Sequence, residues 1–181
     1  QKKIEIGTVI KQDLLENQVK FSYIAIGSNL GDRIVNIEKA KFELECDKIK
    51  IIKCSSNFES ESWPNPLNPK FINIVIKVIS IMPPLDLLER CNAIEKKLGR
   101  KRTSKNAPRT CDIDIIDYKQ KKLNLENNDL IVPHPKLTKR NFVLLPLFEI
   151  NKSWKYPNSK HNIVDLINSL PIKDLRSIKQ I

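Results

Sequence analysis

The order in which short β-rich runs alternate with two helical patterns limits the fold more than any other feature of the sequence. Four runs are rich in Ile, Val, Phe and Tyr, which pack well on a pleated sheet, and they span residues 21–26, 49–59, 71–79 and 110–118. Two further segments, from about Asp32 to Cys46 and from Pro83 to Gly99, have the apolar spacing of amphipathic helices. The predicted order is therefore β, α, β, β, α, β.

This split βαβ order predicts an α+β fold, a ferredoxin-like βαββαβ antiparallel sheet with its helices packed on one face. After the fourth strand, residues 122–126 are expected to pair with it as a hairpin, and a helical tail is expected from Phe142 onward. Residues 1–20 lie outside this plan and are interpreted as an arm or linker, so that one domain occupies residues 21–181.

Composition narrows the functional classes. Hydrophobic residues make up 40% of the chain and charged residues 29%, which suits a globular protein, and no apolar run approaches the roughly 20 residues of a transmembrane helix. The net charge of +11 suits a polyanionic ligand, although a general enrichment in lysine explains it equally well. The first twenty residues contain no apolar signal core and the four cysteines have no paired spacing, so we expect a cytoplasmic protein with reduced thiols.

The sharpest local motif is the pair Asp112 and Asp114 in the fourth predicted strand. Side chains two residues apart share one face of a strand, so both carboxylates emerge together while Ile113 and Ile115 enter the core. Adjacent acids need a counterion, and Mg²⁺ prefers oxygen ligands and also holds substrate phosphates. Two solvated acids on an exposed sheet face are the alternative interpretation.

Arginines are concentrated just before these acids. Three of the seven arginines are Arg100, Arg102 and Arg109. A guanidinium binds phosphate oxygens through two parallel hydrogen bonds, so this arrangement favours a polyphosphate site. The sequence has four glycines and no glycine-rich nucleotide motif, which leaves arginines and a metal to neutralise the phosphates.

Two weaker pairs complete the candidate site. Phe71 and Asn73 share a face of the third strand, where an aromatic ring beside an amide suits a flat heteroaromatic ligand; a core ring and an edge amide are the common alternative. His134 lies between two prolines that stiffen its loop, and with Arg140 close behind it we favour a phosphate contact.

The chain resembles the 6-hydroxymethyl-7,8-dihydropterin pyrophosphokinase family in three motifs that occur in order. They are YIAIGSNLGDR at 23–33, APRTCDIDI at 107–115, and VPHP at 132–135 followed by RNFVLLPL at 140–147. The resemblance covers about residues 21–170. It implies transfer of the β,γ-pyrophosphoryl group of ATP, the co-substrate, to the pterin hydroxymethyl oxygen in folate biosynthesis, with release of AMP and use of two Mg²⁺ ions.

The same resemblance implies roles for individual residues. Asp112 and Asp114 match metal-binding acids, and with Arg100 and Arg109 they form the expected catalytic group. The expected ATP contacts are Glu95, Arg100, Arg102, Arg109, His134 and Arg140. The expected pterin contacts are Ser60, Phe71, Asn73 and Phe142, the two phenylalanines forming aromatic walls. The sequence departs from the family pattern at Trp63, Pro64, Asn106, Ala107 and Pro135.

The main alternative is an RNA-binding module, since RNA-recognition sheets share the split βαβ order and a charge of +11 attracts a polyanion. The aromatic signature of such sheets is missing from the sequence, and acids on the sheet face would repel a nucleic-acid backbone. We therefore expect small-molecule partners, no nucleic-acid or membrane partner, and a monomer; fusion to a second folate-pathway domain is left open.

Overall fold

The computed structural model describes residues 20–62, 65–100, 107–125 and 130–181. These residues form a six-stranded antiparallel sheet in the order β5–β1–β4–β3–β8, with β2 also paired to β4, and a separate hairpin of β6 and β7. The elements are β1 (Ser22–Ser28), α1 (Arg33–Cys46), β2 (Lys50–Cys54), β3 (Phe58–Ser60), β4 (Phe71–Ile79), α2 (Pro84–Lys97), β5 (Asp112–Tyr118), β6 (Leu123–Leu125), β7 (Leu130–Val132), a 3₁₀ turn (Leu137–Lys139), α3 (Asn141–Ile150), α4 (Ile163–Asn168), α5 (Ile172–Arg176) and β8 (Ile178–Gln180).

The predicted antiparallel ferredoxin-like sheet and its element order are confirmed, with one strand divided. The run at 49–59 forms β2 and β3, which pair with different parts of β4. Ser55 lies between them and replaces a rung of the ladder, since its N–H donates to the Val75 carbonyl and its Oγ accepts from the Val75 N–H, both at 3.0 Å.

One prediction about the later elements is wrong, and another leaves out a strand. Within the described residues, Leu123–Leu125 do not pair with β5 as the predicted hairpin but form β6, which pairs with β7, because Leu123 and Leu125 pack against the core beside β7. The tail is helical from Asn141, but the chain then returns to the sheet as β8, which pairs with β3 and covers its edge.

Both faces of the sheet are covered. Helices α1 and α2 pack on one face, where Ile24 and Ile74 lie in the larger apolar core. On the opposite face, α3 and α4 bury Val75 and Ile116 in a second core. The prediction of helices on one face therefore holds for α1 and α2, whereas the tail closes the other face. None of the helices in the described ranges has the length and apolar character that a membrane span requires.

Strand β5 alternates as predicted until a register shift opposite Tyr23 and Ile24. The shift turns Asp117 toward the second core, where its Oδ2 accepts from the Trp154 indole N–H at 2.7 Å. Burial raises the pKa of Asp117, while the bonds from Trp154 and Gln120 act in the opposite direction. Asp117 thus ties the end of β5 to the helical tail and leaves the start of the strand for the site.

Candidate active site

The floor of the candidate site is the α3-facing side of the sheet, at the ends of three neighbouring strands. Gly27 of β1 lies opposite Asn73 of β4 on one side and Asp112 of β5 on the other, and Ala25 lies opposite Asp114. Residues two apart share a face, so these small residues leave open space between the amide of β4 and the acids of β5.

A single pocket above this floor brings together most of the predicted site. Its lining includes the predicted pterin residues Ser60, Phe71, Asn73 and Phe142, and the predicted phosphate and metal residues Arg109, Asp112, Asp114 and Arg140. Residues 60–73 and 109–142 are distant in the chain, so the sheet register and the start of α3 are what bring the two groups together.

Asp112 and Asp114 are each paired with an arginine that also lies near an aromatic ring. The Arg109 Nη1 is 3.3 Å from the Asp112 Oδ2, and its guanidinium carbon lies 5.7 Å from the Phe71 ring centre. Across the pocket the Arg140 Nη1 donates to the Asp114 Oδ2 at 2.9 Å, and its guanidinium carbon lies 5.6 Å from the Phe142 ring centre.

These ion pairs show that the two acids are not freely solvated, while their role as metal ligands stays a prediction. The Asp112 side chain is 26% exposed and that of Asp114 is 35% exposed, so both are half-buried in the pocket instead of lying on an open sheet face. Partly buried carboxylates at this spacing need positive charge close by, and here Arg109 and Arg140 provide it.

Glu95 and Arg100 lie behind Asp112. The Arg100 Nη1 donates to both the Glu95 carboxylate and the Asp112 Oδ1, and the Glu95 Oε1 also accepts from the Ile113 N–H at 2.7 Å. Burial raises the pKa of Glu95, while the Ile113 N–H and the charge of Arg100 act to lower it. Glu95 is 4% exposed, so it acts on the pocket through its bonded partners Arg100 and the Ile113 N–H, and its predicted ATP contact stays a prediction.

His134 is held in one orientation beside the pocket. Its Nδ1 accepts from the Lys136 backbone N–H at 3.0 Å, and the His134 backbone N–H donates to the Ile116 carbonyl at 3.4 Å. Burial lowers the pKa of His134 and the Arg140 charge lowers it further, against an opposing effect of Asp114. In the neutral ring, use of Nδ1 as an acceptor places the proton on Nε2.

We expect the His134 ring to titrate below the ordinary histidine value of 6.5, and Arg140→Gln to raise its pKa because a neighbouring positive charge is removed. An NMR titration can follow both rings, since the chain has two histidines and His161→Gln assigns the signals. A His134 pKa at or above 6.5, or one that Arg140→Gln leaves unchanged, would contradict this description.

A metal ion would find two carboxylates here. No group of three or more His, Cys, Asp and Glu side chains is placed to hold a metal within residues 20–62, 65–100, 107–125 and 130–181. Mg²⁺ commonly binds through one or two carboxylates and completes its shell with waters and substrate phosphates. Asp112 and Asp114 therefore fit a Mg²⁺ ion whose remaining ligands are waters or phosphate oxygens.

Sequence reasoning missed Gly27 and Lys136, which also line the pocket. A Cβ added at Gly27 would lie 2.8 Å from the Asn73 Oδ1 and 3.4 Å from the Phe71 Cδ1, so the glycine makes room for the amide and ring. The signal available in the sequence was a glycine at the end of a strand, a sign of close approach. Arg102, Trp63, Pro64 and Asn106 lie outside the described residues.

For the two substrates that the sequence predicts, Gly27→Ala is expected to raise the KM for the aromatic one about tenfold, because the added methyl displaces Asn73, and to change the KM for the nucleotide little. The backbone at Gly27 needs no left-handed conformation, so the effect reports side-chain space. Steady-state kinetics with each substrate varied in turn provides the measurement. An unchanged KM for the aromatic substrate would show that this space is not used.

The comparison with known families decides the family. The sequence model of 7,8-dihydro-6-hydroxymethylpterin-pyrophosphokinase (HPPK) matches residues 23–152. The chain belongs to the HPPK family. The family match covers β1 to the end of α3, so the pocket residues named above lie within it.

Relatives of different lengths support this family membership. The 2-amino-4-hydroxy-6-hydroxymethyldihydropteridine pyrophosphokinase of Aquifex aeolicus is 37% identical over 154 residues, 85% of this chain and 89% of the relative. The folic acid synthesis protein fol1 of Pneumocystis carinii is 36% identical over 156 residues, 86% of this chain but 21% of that protein. The HPPK resemblance therefore spans one short relative almost entirely and a longer one in part.

A solved structure of Plasmodium falciparum HPPK-DHPS has a TM-score of 0.67 to this chain at 18% identity. The match covers 92% of this chain and 48% of the HPPK-DHPS chain. At this identity the match supports the fold alone. The chain spans about half the length of that solved HPPK-DHPS polypeptide.

Proposed function

We propose that this pocket transfers the β,γ-pyrophosphoryl group of ATP to the hydroxymethyl oxygen of 6-hydroxymethyl-7,8-dihydropterin and releases AMP. The main support is that one pocket joins an aromatic and amide side to a side of acid–arginine pairs. A pterin needs the first surface and a triphosphate needs the second.

The amide side suits a flat ring with hydrogen-bonding edges. The Asn73 Nδ2 donates to the Ser60 Oγ at 3.0 Å, which orients the amide, and Asn73 is 7% exposed. Phe71 and Phe142 line the same pocket and offer stacking surfaces. A pterin held there would have its ring edge read by Asn73 and its hydroxymethyl group directed along the floor toward β5.

The phosphate side is arranged for an exchange of partners. Arg109 and Arg140 neutralise Asp112 and Asp114. These two carboxylates would hold Mg²⁺, which would supply neutralisation of phosphate charge, and the two guanidinium groups would then be available to bind phosphate oxygens. The Arg109 Nε supports this, since it is buried and has no hydrogen-bond partner within the described part of the chain.

Neutral His134 adds a donor without adding charge. Its Nδ1 is occupied by the Lys136 N–H, so the Nε2–H is the group available to a phosphate oxygen. We propose that orientation also accelerates the reaction. The floor of the pocket would hold the attacking hydroxymethyl oxygen on one side of the phosphate chain, and the arginines would hold the phosphate oxygens on the opposite side.

The direct test is incubation of the protein with ATP, Mg²⁺ and the hydroxymethyl dihydropterin, with AMP measured against a control that lacks pterin. We expect pterin-dependent AMP in equal amount to the pterin diphosphate, its loss with EDTA, and its return with added Mg²⁺. Formation of ADP, or AMP that does not depend on pterin, would contradict the proposal.

The remaining predictions about partners belong to the same proposal. We propose a cytoplasmic monomer that uses small-molecule substrates and binds no nucleic acid. Since fol1 and HPPK-DHPS are longer than this chain, a second folate-pathway domain in the same polypeptide is compatible with the proposed activity. Light scattering after size-exclusion chromatography tests the monomer, and salt-dependent gel shifts test for RNA binding.

A further inference from the structure

We propose that Asn29 is a positioning residue that couples the pterin side of the pocket to its phosphate side. This inference rests on the proposed function, because it concerns how the two substrates of that reaction influence each other. Asn29 follows β1, two residues after Gly27, and is 2% exposed. It is outside the pocket lining, so its role would be exerted through the residues that it binds.

The side-chain oxygen and the backbone N–H of Asn29 hold the backbone of Arg109. The Asn29 Oδ1 accepts from the Arg109 N–H at 2.7 Å, and the Asn29 N–H donates to the Arg109 carbonyl at 3.1 Å. This reciprocal pair joins residues 80 positions apart. It fixes the start of the Arg109 side chain, whose guanidinium reaches Asp112 and Phe71.

The side-chain nitrogen of Asn29 binds the two segments next to Ser60 and Phe71. Its Nδ2 donates to the Pro69 carbonyl at 3.1 Å and to the Ser62 Oγ at 3.2 Å. Pro69 lies two residues before Phe71, and Ser62 lies two residues after Ser60. The same amide therefore secures the ends of β3 and β4 that carry two of the proposed pterin contacts.

An amide is the side chain that suits these contacts. It offers an acceptor on one atom and two donor hydrogens on another, and Asn29 uses both atoms while almost fully buried. Aspartate would keep the acceptor for Arg109 but place a carboxylate oxygen against the Pro69 carbonyl. Alanine would leave the Arg109 N–H and the Pro69 carbonyl without this partner.

These bonds give a physical route for coupling. Phosphate that binds the Arg109 guanidinium restrains a residue whose backbone is fixed to Asn29, and Asn29 in turn restrains Pro69 and hence Phe71. Ordering of one side lowers the entropic penalty for ligand binding at the other. The coupling is reciprocal, so a nucleotide should tighten pterin binding by the factor by which pterin tightens nucleotide binding.

The chain offers a matched control in Asn36. Its Nδ2 donates to the Leu30 carbonyl at 2.9 Å and to the Ser28 Oγ at 3.3 Å, so it supports the same turn after β1. Its hydrogen bonds in the described residues reach neither Arg109 nor the segments near Phe71. Asn36→Ala therefore weakens the turn without breaking the proposed coupling.

The experiment is calorimetric titration of pterin into the protein, with and without α,β-methylene ATP and Mg²⁺. This analogue replaces the bridging oxygen that the transfer would break, so no turnover occurs. In the unmodified protein we expect the analogue to tighten pterin binding at least about fivefold. The measured quantity is the ratio of the pterin Kd without the analogue to the pterin Kd with it. In Asn29→Ala and Asn29→Asp we expect this ratio to be near one, and in Asn36→Ala we expect the same ratio as in the unmodified protein.

Each outcome bears on the inference. A ratio near one in the unmodified protein, or an unchanged ratio in Asn29→Ala, would overturn it. If Asn29→Ala has a lower melting temperature but an unchanged ratio, Asn29 has a structural role only. Ser62→Ala is the second variant if Asn29→Ala does not fold, and it should lower the ratio in part. Failure of the unmodified protein to bind either ligand would instead overturn the proposed function.

Discussion

Asp114→Asn is expected to lower the rate of pyrophosphoryl transfer by about a thousandfold, equivalent to about 4 kcal/mol of transition-state stabilisation. Asparagine keeps an oxygen that can accept from Arg140, so the ion-pair position becomes a neutral hydrogen bond and the fold persists. The lost quantity is the negative charge proposed to hold Mg²⁺ against the phosphates. AMP formation at saturating substrates and a melting curve provide the two measurements.

Asp86→Asn is the matched control for this prediction. Asp86 lies in the first turn of α2 and outside the pocket described here, so the same change of charge there should leave the rate of AMP formation within about twofold. Raising the Mg²⁺ concentration should restore part of the Asp114→Asn activity if a weaker metal site is the cause. Near-normal AMP formation by Asp114→Asn would remove the metal assignment.

Arg109→Ala is expected to lower the rate about a hundredfold, because it removes a guanidinium that pairs with Asp112 and offers a buried, unpartnered Nε to a ligand. Arg109→Lys separates charge from geometry, since lysine keeps the positive charge but lacks the planar fork. We expect the lysine variant to recover a small part of the loss. Rapid-quench measurement of a single turnover isolates the transfer step.

The nucleotide affinity provides a control for the Arg109 variants. Asp112 also pairs with Arg100, so the acid stays neutralised and the floor should keep its geometry in Arg109→Ala. A loss confined to the KM for ATP, with the single-turnover rate unchanged at saturation, would make Arg109 a binding residue with no share in transition-state stabilisation. Full recovery by Arg109→Lys would show that charge alone suffices.

Local periodicity predicted much of the fold from the sequence. The run at 71–79 forms β4 with those bounds, and the helical pattern from Asp32 to Cys46 forms α1 with Asp32 as its N-cap. Side-chain direction in a strand depends on a period of two, which is why the shared face of Asp112 and Asp114 followed from spacing. Pairing across distance did not follow: β6 pairs with β7, and β8 covers β3.

The candidate site shows the same division. Motif residues were identifiable individually, and Arg109 lies only three residues before its partner Asp112. The pairing of Arg140 with Asp114 was not identifiable, because it depends on the start of α3 lying over the sheet. Asn29 belonged to a recognised motif without an assigned role, because its bonds reach residues 33, 40 and 80 positions away. No local pattern encodes such contacts.

The sequence by itself determined the order of strands and helices, the face on which the two strand acids emerge, and the residue types present for phosphate and for an aromatic ligand. These properties depend on backbone period and side-chain chemistry, which act over a few residues. Only the tertiary structure decided that Arg140 neutralises Asp114, why Gly27 has to be small, and how one buried amide joins the two sides of the pocket. Those properties depend on contacts between segments that the chain brings together only on folding.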